Sequence, residues 1–136
     1  MTTNVENMRN QFESSPFFSY IGFKIIRFEE GNVRLKLNIE KHMLNVNGSL
    51  HGGIHATMLD MILGIVIRSL TKARVVTTSL TVHYLGSMSA GEIFAEAKVL
   101  QHGYKTAFAE GEIKDSTGNL IAKGTGVFKL IRDESK

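Results

Sequence analysis

From His51 to about Leu70 the chain carries a helical run that is apolar on nearly every side. Met58, Leu59, Met61, Ile62, Ile65 and Ile67 cannot all lie on one stripe of a helix with about 3.6 residues per turn. Such a helix must be covered all round. The greasiest part, Ile54 to Ile67, is interrupted by His55 and Asp60 and closed by Arg68, and it is too short to span a bilayer. The cover is therefore expected from the rest of the protein, with no membrane as partner.

What remains of the chain reads mostly as strands. Gly22 to Phe28 and Asn32 to Ile39 flank a turn at Glu29-Glu30-Gly31. In the second of these, Val33, Leu35 and Leu37 alternate with Arg34, Lys36 and Asn38, so one face is wet. After the helix, Arg74 to Leu85, Glu92 to Leu100, Tyr104 to Ile113 and Leu120 to Ile131 are strand-like, with short polar or glycine-containing breaks. Short breaks favour antiparallel hairpins and meanders, because parallel neighbours need long crossovers. A short leading helix is expected from Asn4 to Glu13, broken by Pro16, the only proline. The expectation is a single α+β domain over residues 1–136, with one central helix against an antiparallel sheet of about six strands. One sheet covers one side of a helix. The other side needs the leading helix or a second copy, and a homodimer is the economical solution.

Composition narrows the function. A net charge of +3 with no long block of like charge argues against a nucleic-acid partner. Absence of cysteine excludes disulfides, thiolate metal sites and a cysteine nucleophile, and fits a reducing compartment. Met1 to Ser15 lacks the apolar core of a signal peptide. A soluble, cytoplasmic protein is expected.

The chemistry concentrates between Asn45 and Asp60. A polar, glycine-containing loop runs into the helix start at His51-Gly52-Gly53, where bare N–H groups can receive a negative charge. Further along, Asp60 places a carboxylate among apolar neighbours, which is costly unless it is paired or put to use. An oxyanion holder and a base or nucleophile are the two halves of an acyl-transfer site. Asp60 lies eight residues beyond Gly52, about 12 Å along the axis at a rise of about 1.5 Å per residue. Two groups so far apart meet on one substrate atom only if they come from different chains. Alternatively, Asp60 is a structural group bonded to a nearby hydroxyl such as Thr57. His51 and His55 are four apart, but Asp60 lies about 180° from His51 around the helix, so no metal set is completed. Ser49 has no elbow context for a serine nucleophile.

The pattern Asn45-x-x-Gly48-x-x-His51-Gly52-Gly53, followed by Asp60 and Thr77-Thr78, resembles the PaaI-like acyl-CoA thioesterases of the hotdog fold. The likeness extends to Leu80-x-x-x-Tyr84-Leu85 and to Gly103-Tyr104-Lys105-Thr106. It implies a curved antiparallel sheet wrapped around a long central helix, in dimers that commonly pair again as tetramers. The implied reaction is hydrolysis of acyl-CoA thioesters, with no metal and no separate cofactor, since coenzyme A belongs to the substrate. By position, the Gly52 N–H would polarise the thioester carbonyl, and Asp60 of the partner subunit would act as base or nucleophile. Asn45 and His51 would help place water, thioester or leaving thiolate, with Thr77 beside the carboxylate. Substrate contacts would fall to Gly48, Gly53, Met61, Tyr84 and Lys105. Arg68, Lys72, Arg74 and Lys123 are further candidates for the coenzyme phosphates. His55 lies outside the motif, and a packing role is expected of it. A non-catalytic acyl-CoA binding module on the same fold is the alternative. Hydratase relatives use proline-containing turns that this chain lacks after Pro16.

Overall fold

The central apolar run forms α3 (Gly52–Thr71), twenty residues long, and everything else is arranged around it. The structure, a computed structural model, describes residues 2–132. Before α3 come α1 (Thr2–Glu13), α2 (Pro16–Ile21), β1 (Lys24–Glu29) and β2 (Asn32–Asn38), and after it β3 (Arg74–Tyr84), β4 (Glu92–His102), β5 (Thr106–Asp115) and β6 (Leu120–Ile131). Predicted strand ends shift by one or two residues. Pro16 does more than end α1. It occupies the first turn of α2, where its missing N–H is not needed, and Gly22 closes that helix with φ of 101°.

The six strands form one antiparallel sheet in the order β1-β2-β4-β5-β6-β3. The expected meander holds for β4-β5-β6 and fails between β3 and β4. After β3 the chain crosses to the middle of the sheet, and β3 pairs with β6 at the far edge. The reason is geometric. A tight turn at Lys72 and Ala73 sends β3 back along α3, so the next strand must start from the opposite end. The crossing segment is tied on both sides: Gly86 N–H donates to Ile121 O at 2.9 Å, while Met88 O accepts from Leu50 N–H at 2.7 Å. That second bond anchors the loop that leads into α3.

Helix and sheet meet closely because glycines face the helix. A Cβ at Gly124 would stand 3.0 Å from the Thr81 carbonyl oxygen and 3.1 Å from Leu59 Cδ1. One at Gly111 would stand 3.2 Å from Leu63 Cδ2. Met58, Leu59, Ile62, Leu63 and Val66 are fully buried in the resulting core. By length and composition α3 could cross a bilayer, but that apolar surface is spent against the sheet. The opposite stripe remains half-exposed and includes Ile54, Thr57, Asp60 and Met61. Near its end, Arg68 donates to Gln11 Oε1 at 2.8 Å and lies 5.6 Å from the Phe12 ring centroid, so α1 reaches this part of α3.

Because an added Cβ at Gly124 would crowd the Thr81 backbone carbonyl as well as Leu59, Gly124→Ala is expected to lower unfolding free energy in urea by about 1–3 kcal/mol. Gly103→Ala, where an added Cβ meets nothing within 4 Å, should stay within about 0.5 kcal/mol of the parent.

Candidate active site

The loop before α3 is built on Asn45. Its side-chain Oδ1 accepts from the N–H groups of Asn47 at 2.9 Å and Ser49 at 3.2 Å. Gly48 adopts φ of 82°, and its N–H donates to Asn45 O at 3.0 Å, which closes the turn. His51 is then placed by its own N–H on Met43 O at 2.9 Å.

His51 is the N-cap of α3, with extended backbone and Nδ1 accepting from Gly53 N–H at 2.8 Å. A neutral ring that accepts at Nδ1 carries its proton on Nε2, so His51 offers a second N–H donor on its exposed side. Ile54 N–H donates to His51 O at 2.9 Å. Of the first three N–H groups of α3, only that of Gly52 has no acceptor among the described residues. Tyr84 reaches the same end of the helix and donates its hydroxyl to Gly52 O at 3.1 Å.

Asp60 sits on the open stripe and is half-buried within one chain. Its hydroxyl partner is Thr77, whose Oγ1 donates to Asp60 Oδ1 at 2.6 Å. Thr57 is not the partner, because its hydroxyl back-bonds to Gly53 O at 2.8 Å. A bulge makes this possible. Thr77 pairs with Phe128 and Ser79 with Val127, which leaves Thr78 as the extra residue, its hydroxyl on Val127 O at 2.9 Å. Side chains alternate along a strand, so positions 77 and 84 would face opposite ways in a regular β3. The slip at Thr78 turns both Thr77 and Tyr84 towards α3.

The motif residues thus form two clusters on one continuous helix. Asn45, Gly48, His51, Gly52, Gly53 and Tyr84 gather at its start, and Asp60, Met61 and Thr77 lie two turns on. Lys105 belongs to neither, and sits in the turn between β4 and β5. Of the other basic candidates, Lys72 pairs with Glu30 and Lys123 with Glu112, and Arg68 is held by Gln11. A cavity of about 270 Å³ borders the first cluster, lined by His42, Leu44, His51, Gly53, Ile54 and Thr57. A hollow of about 280 Å³ on the outer sheet face, among Lys98, Glu110, Glu112 and Lys123, touches no motif residue. Its charges are consumed in ion pairs such as Lys98–Glu110.

The model of the thioesterase superfamily matches residues 47–122, more than half of the chain. This chain belongs to the thioesterase superfamily. Mouse acyl-coenzyme A thioesterase 13 is 28% identical over 129 residues, covering 91% of this chain and 92% of that protein. The structure of zebra fish thioesterase superfamily member 2 superposes with a TM-score of 0.81 at 28% identity, covering 95% of this chain and 96% of that one. E. coli PaaI, at 23% identity, shares the fold with a TM-score of 0.89 over 96% of this chain and 95% of that one. The hotdog architecture is thereby established.

One feature of this thioesterase-superfamily chain was not marked by any motif. His55, on the second turn of α3, is 3% exposed and packs against Tyr84 of β3, and neither ring nitrogen has a hydrogen-bond partner among the described residues. Burial holds its pKa below the ordinary 6.5, with the nearby His51 carbonyl opposing the shift only in part. On acidification the unfolded chain takes up this proton near pH 6.5 while the native ring resists it. The stability linked to His55 is whole above that pH and is lost as pH falls towards the lower native value. The thermal midpoint of the parent should therefore drop further between pH 7 and pH 5 than that of His55→Phe, as read by circular dichroism.

Proposed function

We propose that this chain hydrolyses acyl-coenzyme A thioesters at a site shared between two protomers. The observation that carries the reading is the uncommitted Gly52 N–H, one fixed helix segment away from a carboxylate held by Thr77. Thioester hydrolysis builds negative charge on the carbonyl oxygen, and a preorganised N–H donor at a helix start stabilises that charge. Asp60 of the partner subunit takes a proton from water or attacks the carbonyl carbon itself. In either route the C–S bond breaks and the thiolate of coenzyme A leaves; attack by water gives the free acid directly, whereas attack by Asp60 gives a mixed anhydride that water then hydrolyses to the free acid and the regenerated carboxylate. In this reading His51 donates its Nε2–H to the thioester or the departing sulfur, which its Nδ1 bond to Gly53 N–H supports.

Three features support a second copy. About 12 Å of helix separates Gly52 from Asp60, which one short side chain cannot bridge. The stripe bearing Ile54, Asp60 and Met61 is half-exposed. Strand β3 is an eleven-residue sheet edge with Val76 exposed and Leu85 exposed just beyond its end, and pairing with another copy removes that liability. The similarity to acyl-coenzyme A thioesterase 13 supports the substrate class.

Proline fits the first helical position, and His51 already has the extended backbone that a residue before proline adopts. Gly52→Pro removes the N–H, whereas Gly52→Ala adds a Cβ and keeps it. Thiol release by Gly52→Pro should be about 10²–10³-fold lower than by Gly52→Ala. Equal rates would remove the oxyanion role.

Asp60→Ala should nearly abolish release on its own. Co-expressed with Gly52→Pro, it should recover about one quarter of parental activity, because mixed dimers hold one intact site. No recovery in verified mixed dimers, or a fully active monomer by light scattering, would sink the shared site. Saturable acyl-CoA binding by the parent without any thiol release would assign it to a non-catalytic module.

A further inference from the structure

The proposed donor sits on the residue type with the freest backbone. Without a Cβ, Gly52 has little of its own to fix the direction of its N–H, so neighbours must do so. The peptide unit that bears this N–H is held through its own carbonyl, His51 O, which accepts from Ile54 N–H at 2.9 Å, and the next unit is held on the loop side by His51 Nδ1, which accepts from Gly53 N–H at 2.8 Å. On the sheet side the contact is Tyr84. Its hydroxyl donates to Gly52 O at 3.1 Å, and its ring lies so near that a Cβ on Gly52 would stand 3.2 Å from Tyr84 Cε1.

Tyr84 needs support of its own. It is the last residue of β3 and 54% exposed, so its ring has open solvent to turn into. His55, one turn further along α3, meets that ring edge-on, with centroids 5.6 Å apart and planes at 82°. Burying an imidazole with no ordinary hydrogen bond at either nitrogen costs stability that an aliphatic side chain would not. What the imidazole supplies is a flat, buried ring set nearly perpendicular to that of Tyr84.

We propose that His55 and Tyr84 form a positioning pair for the Gly52 amide. His55 holds the Tyr84 ring, and Tyr84 holds the Gly52 carbonyl and with it the tilt of the first turn of α3. The inference rests on the reading of Gly52 as the oxyanion donor. In this reading Tyr84 acts on the Gly52 carbonyl rather than as the substrate contact that the resemblance implies, and neither side chain meets the reacting atoms. An oxyanion donor acts only within a narrow distance range, and its contribution grows in the transition state. Loosening the pair therefore lowers kcat and leaves KM almost unchanged.

Two readouts test this, one independent of catalysis. In isotope-labelled protein without substrate, Tyr84→Phe and His55→Leu should each move the Gly52 amide resonance, and His55→Phe should leave it near the parental position. In acyl-CoA hydrolysis, Tyr84→Phe should lower kcat about tenfold with KM within about twofold. His55→Leu should lower kcat about fivefold, His55→Phe should restore most of it, and His55→Leu should add nothing in a Tyr84→Ala background. Equal losses from His55→Leu in both backgrounds would overturn the pairing. So would an unmoved Gly52 resonance, or a Tyr84→Phe variant altered in KM alone. Should His55→Leu fail to fold, the resonance and kcat of Tyr84→Phe decide. A parent that releases no thiol from any acyl-CoA ends the functional reading, while the amide resonance still reports on the pair.

Discussion

The close seating of α3 on the glycine-faced sheet is the constraint from which the rest follows. Leu59 and Leu63 press into positions where Gly124 and Gly111 leave no side chain in the way. That contact sets the rotation of the helix about its axis. With Leu59 and Leu63 turned inward, Asp60 and Met61 are turned towards the open stripe, and His55 towards β3. Burial of large aliphatic side chains, worth about 1.5–3 kcal/mol each, thus fixes the orientation of polar groups that contribute little to stability themselves.

A single irregularity in β3 does comparable work on the sheet side. One extra residue at Thr78 changes which set of alternating side chains faces the helix. Without it, either Thr77 or Tyr84 would face the helix, but not both. The bulge also gives Thr78 its own bond to β6, so the slip is pinned to one place. The carboxylate cluster and the amide cluster are therefore served by one strand running alongside one helix.

Much of this was legible in the residues. The all-round apolar run marked α3, alternation marked β2, and the spacing from Asn45 to Asp60 marked both clusters. Three things were not. The crossing from β3 to β4 depends on where α3 leaves the chain in space, which loop length alone does not encode. Thr77 beside Asp60 is implied by the resemblance alone; the residues by themselves offer Thr57, one turn back, whose hydroxyl satisfies the helix backbone instead, and the bulge that brings Thr77 to the carboxylate leaves no mark in the sequence. His55 looked like packing because no motif contains it. Its orientation towards Tyr84 needed the strand in place.

The tie between Met88 and Leu50 has a consequence for how the chain tolerates change. A surface connection between two strands is ordinarily where insertions do little harm. Here the Gly86–Gly91 crossing holds the residue immediately before His51, through a 2.7 Å bond. Lengthening it would slacken the entrance to α3 while leaving sheet and core intact, so a variant of this loop could fold normally and still lose its chemistry.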